Sequence, residues 1–449
     1  MEETLTHAVV PLVFQLSMEE TLTHAVVRLV FQLALILLAA KIGGEICIRY
    51  LRVPPVLGEL VVGIIIGPFA LGAVVLGGLG PLFPIPSSDH GGGAIPLSPE
   101  LYSIATVASI ILLFAAGIET NLRQFLKYAG PASLVALGGL VVPFVLGVLA
   151  TTLFGFAATW TSPEALFMGA IMTATSVGIT ARVLTDLHRL ESPEGVTVIA
   201  AAVVDDGIGI MVLTIIVGMN AAGGVSLANV AFIGGKALAF WFGLMAVGIL
   251  LSNVISRIVG SFKVEGAKIA LAIAIALFAA GLAESFGLAM IIGAYSVGLA
   301  LSNTRLAREL EEPISSVYNA LVPIFFVSMG MLVDVSAMGD GLMFGLVLTS
   351  LAIIGKVVGS GVPALLTGFN LMGATRVGVG MMPRGEVALI VAGVGLSQGV
   401  IGQNLFGVSI LMTLVTTLLA PILLVPLFKD KRIGRRHEEV GAGQVGDGN

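Results

Sequence analysis

Residues 196–218 read VTVIAAAVVDDGIGIMVLTIIVG, a stretch that is long and apolar enough to cross a bilayer as one helix. Asp205 and Asp206 lie side by side at its centre. A charge at the centre of a spanning helix costs about 2.5–3.5 kcal/mol even on lenient insertion scales, so such residues usually face a cavity and bind something. The stretch therefore predicts a membrane helix whose paired carboxylates bind a cation or a proton.

The chain as a whole has the composition of a polytopic membrane protein. Hydrophobic residues make up 57% of its 449 residues and charged residues 11%, with a mean hydropathy of +1.06. That is too apolar for a soluble domain. The many glycines and few aromatic residues favour closely packed, interrupted helices over a lipid-facing barrel, so we predict an all-α membrane protein. The single cysteine, Cys47, excludes an internal disulfide and a Cys-based metal cluster.

Apolar windows of about 20 residues, separated by glycine, proline and charge clusters, predict about thirteen transmembrane helices. They cover residues 24–47, 54–72, 100–118, 124–154, 163–187, 193–220, 226–252, 264–284, 286–303, 317–335, 341–367, 373–397 and 404–428. Lysine and arginine gather in alternate connections, which we assign as those holding Arg49, Arg52, Arg123, Lys127, Arg182, Arg189, Arg257, Lys263, Lys268, Arg305, Arg308, Arg376 and the KDKRIGRR tail. Because basic residues concentrate on the cytoplasmic side, this alternation predicts an external N-terminus and a cytoplasmic C-terminus.

The first 34 residues contain a tandem duplication. MEETLTHAVVPLVFQLS (1–17) recurs as MEETLTHAVVRLVFQLA (18–34), without the features of a cleaved signal peptide. We therefore divide the chain into an N-terminal extension (1–23), a transmembrane domain (24–428) and a short basic tail (429–449).

A weak internal repeat predicts the architecture of the transmembrane domain. ILLFAAGIETN (111–121) resembles IFFVSMGMLVDVS (324–336), and LGELVVGIIIGP (57–68) resembles LAMIIGAYSVGL (288–299). These pairs open two blocks of five helices, near 54–220 and 286–428, that start seven spans apart. Since seven is odd, the blocks have opposite orientations, which is the inverted-repeat plan of secondary transporters. In that plan the substrate binds near the midplane, beside discontinuous helices.

The fourth helix of each block carries the signals of a break. The first contains the hydroxyl-rich run Thr173-Ala174-Thr175-Ser176, and the second contains Pro383-Arg384-Gly385. Proline and glycine around a charged residue argue against an unbroken helix. We predict that the two broken helices cross as an antiparallel pair, and that Arg384 and Glu386 form an internal salt bridge supporting the crossing.

Seven features together resemble one known family: PPVLGELVVGIIIGP (54–68), FAAGIETNL (114–122), TATSVGITARVL (173–184), VVDDGIGI (203–210), PIFFVSMGMLVD (323–334), Lys356 and PRGEVALIVA (383–392). They look like the second family of monovalent cation/proton antiporters, and more narrowly like its bacterial sodium/proton exchangers with adjacent aspartates. The resemblance covers residues 24 to 428. It implies a homodimer in the bacterial cytoplasmic membrane, without a bound cofactor, in which one bundle of helices moves against a scaffold to exchange a cation for protons.

The resemblance also implies the roles of the charged residues: Asp205 pairs with Lys356, and Asp206 binds the ion. Geometry agrees that the two aspartates differ, because neighbouring residues on a helix point about 100° apart. Na⁺, as a hard cation, prefers oxygen ligands. The hydroxyls of Thr175 and Ser176 could supply them, with Thr173 in support. Alternatively, these three hydroxyls only bond back to helix carbonyls and bend the helix.

A carboxyl group buried beside another carboxylate releases its proton at a higher pH than one in water, so a cation and a proton compete for one site. Such competition, combined with alternating access, predicts exchange of a cation for protons. We expect this exchange to be electrogenic and Na⁺ to be the preferred cation, with Li⁺ or K⁺ as other candidates. A potassium/proton antiporter and a passive cation channel remain alternatives. An intramembrane aspartyl protease is disfavoured, since its two carboxylates must come from different helices. We expect a transporter rather than an enzyme, with no nucleic-acid partner.

Overall fold

The computed structural model describes residues 2–51, 54–74, 81–85, 96–220, 227–286, 288–334, 341–429 and 434–435. Within these ranges the chain folds into α-helices, joined by short connections and without a named β-strand. The helices are α1 (Glu2–Ile46), α2 (Pro55–Ile66), α3 (Pro99–Glu119), α4 (Leu122–Leu153), α5 (Pro163–Thr173), α6 (Val177–Asp186), α7 (Pro193–Asn220), α8 (Leu227–Gly260), α9 (Ala267–Ser285), α10 (Met290–Leu301), α11 (Arg305–Met331), α12 (Leu342–Leu366), α13 (Leu371–Gly380), α14 (Glu386–Ser397) and α15 (Gln403–Lys429).

Local sequence explains where many of these helices begin. Proline occupies the first position of α2, α3, α5 and α7, where its missing N–H has no helical partner to lose. Polar residues cap others: the side chain of Asn121 accepts hydrogen bonds from the backbone N–H groups of Arg123 and Gln124, and Thr304 caps α11 in the same way. The polar connections therefore fix the helix ends.

Two spans are interrupted, as the sequence predicts. Residues 174–176 separate α5 from α6, and residues 381–385 separate α13 from α14. If each interrupted helix counts as one span, the described residues contain the thirteen predicted spans. Ten of the helical segments in this part of the chain are long and apolar enough to cross a membrane on their own.

The helices pack as two bundles. Helices α4–α7 and α12–α15 contact one another and form what we call the site bundle, whereas α1–α3 and α9–α11 form the flanking bundle. Helix α8 packs on both, through α7 and α10. Between the bundles, α6 packs against α2 and α3, and α15 packs against α2. This division decides which contacts must change if the bundles move relative to each other.

Glycine contacts repeat the same packing in both blocks. Helix α2 approaches α11 so closely that a Cβ added to Gly63 would lie 2.9 Å from Gly330 Cα. Helix α10 approaches α3 equally closely, since a Cβ on Gly117 would lie 3.0 Å from Gly298 Cα. The first helix of each block thus packs against the second helix of the other block. This reciprocal arrangement is the one expected of inverted repeats.

Several of the basic residues assigned to connections lie within helices, and two of them are buried there. Arg182 is buried in α6 and Arg376 is buried in α13. Each guanidinium has a carboxylate nearby, Glu59 for Arg182 and Glu194 for Arg376, and this partner makes burial of the charge tolerable. The prediction for α11 also began too late, because the cap at Thr304 starts the helix twelve residues before position 317.

The two ends of the chain differ in how they join the fold. Helix α1 runs without interruption from Glu2 through both copies of the duplicated segment. At the other end, Gly434 accepts a hydrogen bond of 2.9 Å from the backbone N–H of Asn370. The guanidinium of Arg435 lies 4.4 Å from the ring centre of Tyr128 and 5.0 Å from that of Phe369. The start of the tail therefore contacts the site bundle, while the rest of the predicted basic tail falls outside the described residues.

Candidate functional site

Asp205 and Lys356 meet in the interior of the site bundle. Asp205 lies midway along α7 and Lys356 midway along α12, and Lys356 Nζ donates a hydrogen bond of 3.0 Å to Asp205 Oδ2. The lysine side chain is fully buried, and that of Asp205 is 2% exposed. Asp206 is also buried. The structure thus brings together the three charged residues that sequence reasoning singled out.

Small residues on α4 make room for the lysine. An added Cβ on Gly139 would overlap Ser360 Oγ and lie 3.7 Å from Lys356 Cδ. One residue earlier, a Cβ on Gly138 would overlap the carbonyl oxygen of Gly359. Helices α4 and α12 therefore approach backbone to backbone, and the lysine stem fits alongside without displacing α4.

The two helix breaks meet each other. The backbone N–H of Ser176 donates to the carbonyl oxygen of Pro383 at 2.8 Å, and Thr180 Oγ1 donates to the carbonyl oxygen of Gly380 at 2.7 Å. The Ser176–Pro383 bond thus pairs two backbone groups that the breaks leave outside a helix. The crossing that the sequence predicts is held by this bond and by the adjacent bond between α6 and α13.

Arg384 braces this crossing. Its guanidinium is fully buried and donates to the carbonyl oxygens of Met172 at 2.7 Å, Met382 at 3.1 Å and Ala352 at 3.4 Å. Met172 belongs to the last turn of α5, where a cation complements the negative end of the half-helix. Ala352 lies one turn before Lys356 on α12. Arg384 therefore links both breaks to the helix that carries the lysine.

The predicted Arg384–Glu386 salt bridge stays a prediction, because the Glu386 side chain lies outside the described part of the structure. Arg384 itself interacts electrostatically with Asp205 and Lys356. A fixed positive charge thus faces the ion pair from the crossing. Thr417 Oγ1 on α15 donates to the carbonyl oxygen of Arg384 and anchors its backbone.

The three hydroxyl residues of the first break have different neighbours. Thr173 Oγ1 bonds back to the carbonyl oxygen of Ala170 at 2.7 Å, the structural role that the sequence left open for it. Ser176 Oγ caps α6 by accepting the N–H of Ile179 at 3.5 Å. Thr175 Oγ1 reaches only the carbonyl oxygen of Met381, at the long distance of 3.5 Å. Of the three, Thr173 is therefore held most tightly, while the hydrogen bonds of Thr175 and Ser176 are both long.

The profile of the family described as "Sodium/hydrogen exchanger, transmembrane" matches residues 33–430. This chain belongs to the sodium/hydrogen exchanger family. Within it, the chain is 37% identical over 432 residues to the "High-affinity Na(+)/H(+) antiporter NhaS3" of Synechocystis, covering 90% of each chain. It is 34% identical to the "Na(+)/H(+)-K(+) antiporter GerN" of Bacillus cereus, over 89% of this chain and 96% of that one.

A solved structure of the same fold is that of the sodium proton antiporter MjNhaP1 from Methanocaldococcus jannaschii. It aligns with a TM-score of 0.63 over 91% of this chain and 99% of that one, at 18% identity. The likeness supports the fold of this exchanger-family chain, including its all-helical architecture, and at that identity nothing finer.

One contact of this exchanger was not predicted from the sequence. Arg182 and Glu59 face each other between the bundles, but Arg182 was assigned to a connection and no role was predicted for Glu59. The signal was present, since each lies within an apolar segment, Arg182 in VGITARVL and Glu59 in LGELVVG. Two opposite charges in separate apolar helices are expected to pair, but sequence alone does not say with which helix.

Proposed function

We propose that this protein exchanges a monovalent cation, Na⁺ before others, for protons across a membrane by alternating access. One observation carries the proposal: in a chain of the sodium/hydrogen exchanger family, Asp206 lies next to a buried Lys356–Asp205 pair inside the bundle of crossed, broken helices. Buried carboxylates at such a crossing can hold either a proton or a cation. No bound cofactor takes part.

The exchange cycle follows from competition at Asp206. When the cation binds Asp206, with oxygen ligands from Thr175 and Ser176, the carboxylic proton leaves to the same side of the membrane. After the site changes its access, the cation dissociates and a proton from the opposite side replaces it. The carboxyl group is thus never left charged and empty in a dry site, which keeps leakage low.

The Lys356–Asp205 pair makes the exchange electrogenic. An ammonium group that loses its carboxylate partner in a dry cavity releases its proton readily. If cation binding draws Asp205 away from Lys356, a second proton leaves for each cation bound, and the cycle moves net charge. Arg384, fixed near the pair, favours opening because a second positive charge opposes the lysine.

The membrane orientation rests on the distribution of lysine and arginine. With an external N-terminus and thirteen spans, the C-terminus is cytoplasmic. The membrane in the proposal is the bacterial cytoplasmic membrane. The protein forms a homodimer in it. A reporter fused after Asn449 is expected on the cytoplasmic side, and a tag in the segment 77–99 on the outside. Labelling of the KDKRIGRR tail from outside intact cells would invert this orientation.

The decisive experiment is transport by the purified protein in proteoliposomes. A pH gradient, acidic inside, is imposed and Na⁺, Li⁺, K⁺ or choline is then added outside while an internal pH dye is followed. Na⁺ and Li⁺ should collapse the gradient and choline should not. A larger response to K⁺ than to Na⁺ would favour the potassium/proton alternative. Uptake of radiolabelled cation, measured in parallel, without proton movement would indicate a channel, and the absence of any flux would refute the proposal.

A further inference from the structure

Arg182 holds contacts on both sides of the boundary between the two bundles. Its Nη2 lies 3.8 Å from Glu59 Oε1 on α2, and its guanidinium carbon lies 4.9 Å from the ring centre of Tyr318 on α11. Its Nε donates to Asp186 Oδ2 on its own helix at 3.2 Å. The side chains of Arg182 and Glu59 are 6% and 2% exposed. One residue of the site bundle is thus tied to two helices of the flanking bundle.

A second contact crosses the boundary one turn further along α6. Thr185 Oγ1 donates to Glu119 Oε2, at the end of α3, at 3.4 Å. All of these groups lie at one end of the bundles: near the start of α2, the end of α3, the end of α6 and the first half of α11. This is the end whose connections carry Arg49, Arg189 and Arg305, which the proposed orientation places on the cytoplasmic side.

Beside these contacts, the boundary between the bundles contains a partly open cavity of about 20 Å³, enough space for about one water molecule. Leu60 and Ile179 line the cavity. Leu60 directly follows Glu59 in the chain, and Ile179 lies three residues before Arg182. Thr413 and Thr417 of α15 line it from the site bundle. The charged contact therefore separates this cavity from the cytoplasmic end.

The Arg182–Glu59 pair holds the bundles together, but its hydrogen bonding is incomplete, so it can open. Arg182 Nη1 and Glu59 Oε2 have no hydrogen-bond partner in the part of the chain that the structure describes. At 3.8 Å the pair attracts electrostatically but lies beyond hydrogen-bond distance. A buried ion pair with unsatisfied atoms gains less interaction free energy than a fully hydrogen-bonded one. Separating the two bundles at this pair therefore costs only a modest free energy.

From this geometry we propose that Arg182, with Glu59 and Tyr318, is an inter-bundle latch that keeps the cytoplasmic entrance closed in this conformation. This inference rests on the proposed alternating access, in which the site bundle moves relative to the flanking bundle. Opening toward the cytoplasm carries α6 away from α2 and α11, so the latch must break. Asp186 then remains as the partner of Arg182 within α6.

The test is accessibility of a single cysteine behind the latch. In a Cys47→Ser background, Ile179→Cys places a thiol on the cavity wall, and a membrane-impermeant maleimide is applied separately to each side of the membrane. Arg182→Gln and Glu59→Gln should each raise the labelling rate from the cytoplasmic side about tenfold, within the range of typical conformational couplings. The double variant should equal the single ones, because both remove the same contact.

Arg376→Gln is the matched control, since it breaks a buried arginine–glutamate pair within the site bundle rather than between bundles. It should leave labelling at Ile179→Cys unchanged. Tyr318→Leu keeps the charges and removes the aromatic ring with its hydroxyl, so it should give a smaller increase and stays informative if the charge variants fold poorly. Melting temperatures in detergent identify the folded variants.

Unchanged labelling in folded Arg182→Gln and Glu59→Gln proteins would overturn the latch. So would an equal increase in Arg376→Gln, because that would mean general loosening. The assay does not require transport: a protein that failed to exchange any cation could still show the latch opening, and a functional exchanger could still show none. Failure of the latch and failure of the proposed function are therefore separate results.

Discussion

Two buried ion pairs connect helices of the site bundle, and they are built differently. Arg376 Nη1 lies 2.6 Å from Glu194 Oε1, and its Nε also donates to the carbonyl oxygen of Leu427 at 3.0 Å. Its guanidinium carbon lies 5.1 Å from the ring centre of Phe428. One arginine therefore joins α13 to the start of α7 and the end of α15 through several contacts.

The pair between Lys356 and Asp205 is sparse by comparison. Lys356 Nζ has one hydrogen-bond partner among the described residues, Asp205 Oδ2 at 3.0 Å, and Asp205 Oδ1 has none there. Lysine also changes its protonation state when its surroundings change, which arginine does not. Multiple contacts characterise a structural brace, whereas a single contact between titratable groups can open during a cycle. From this comparison we propose that the Lys356–Asp205 pair takes part in transport and that the Arg376–Glu194 pair stabilises the fold.

The largest effect is expected beside the sparse pair. Asp206→Asn removes the negative charge that both the cation and the proton require, so exchange should fall below detection while the protein stays folded. Proteoliposome exchange and the melting temperature of the same preparation measure both quantities. Cation-dependent proton movement by a folded Asp206→Asn protein would place the essential ligand elsewhere.

Changes to the Arg376–Glu194 pair should lower stability and leave transport by the folded protein intact. Arg376→Gln and Glu194→Gln each leave a buried charge without its partner, which typically costs about 3–5 kcal/mol of stability. The fraction that folds should still exchange cations with the wild-type pH profile. Chemical denaturation in detergent, followed by transport of the folded fraction, checks this. A changed pH profile would remove the distinction between the two pairs.

Lys356→Gln sharpens the comparison from the other side. Two interacting groups titrate as a pair, so removing one should shift the pH profile of exchange by about one unit and abolish its dependence on membrane potential. Exchange is measured in proteoliposomes with and without an imposed potential, with Arg376→Gln as the control. Wild-type rates that ignore the potential would refute electrogenic exchange, and an unshifted Lys356→Gln profile would make this lysine a brace as well.

The smallest effect is expected at the first break. Thr175→Val removes a weakly held hydroxyl, and loss of one such ligand, worth about 1 kcal/mol, should raise the KM for Na⁺ about fivefold. Thr173→Val is the matched control, because the Thr173 hydroxyl already bonds to Ala170. Equal KM values for the two variants would leave cation binding to Asp206 and backbone carbonyls.

Much of the fold was predictable from sequence because a long apolar segment predicts a membrane helix. The two breaks were also visible, since Pro383, Gly385 and the hydroxyl run at 173–176 are local signals. Boundaries were less certain: the helix at Arg305 begins in polar sequence, and only the cap at Thr304 marks it.

The contacts of the charged residues were harder to predict from the sequence. Lys356 offered an obvious partner for an intramembrane aspartate, but Arg182 and Arg376 were misread as loop charges because hydropathy cannot distinguish a buried pair from a helix end. Arg384 was expected to bond Glu386, while its hydrogen bonds to the carbonyl oxygens of Met172 and Ala352 depend on how distant helices cross. Such contacts are set by tertiary packing, which sequence spacing does not contain.

The cation–π contacts of Arg435 with Tyr128 and Phe369 have a practical consequence for measuring motion. Because they fasten the start of the tail to α4 and to the connection before α13, a fluorophore attached just after Arg435 travels with the site bundle. A second fluorophore at Arg305, an exposed position on the flanking bundle, supplies the fixed reference. Energy transfer between the two dyes then measures the displacement of one bundle against the other without altering the proposed ion pathway.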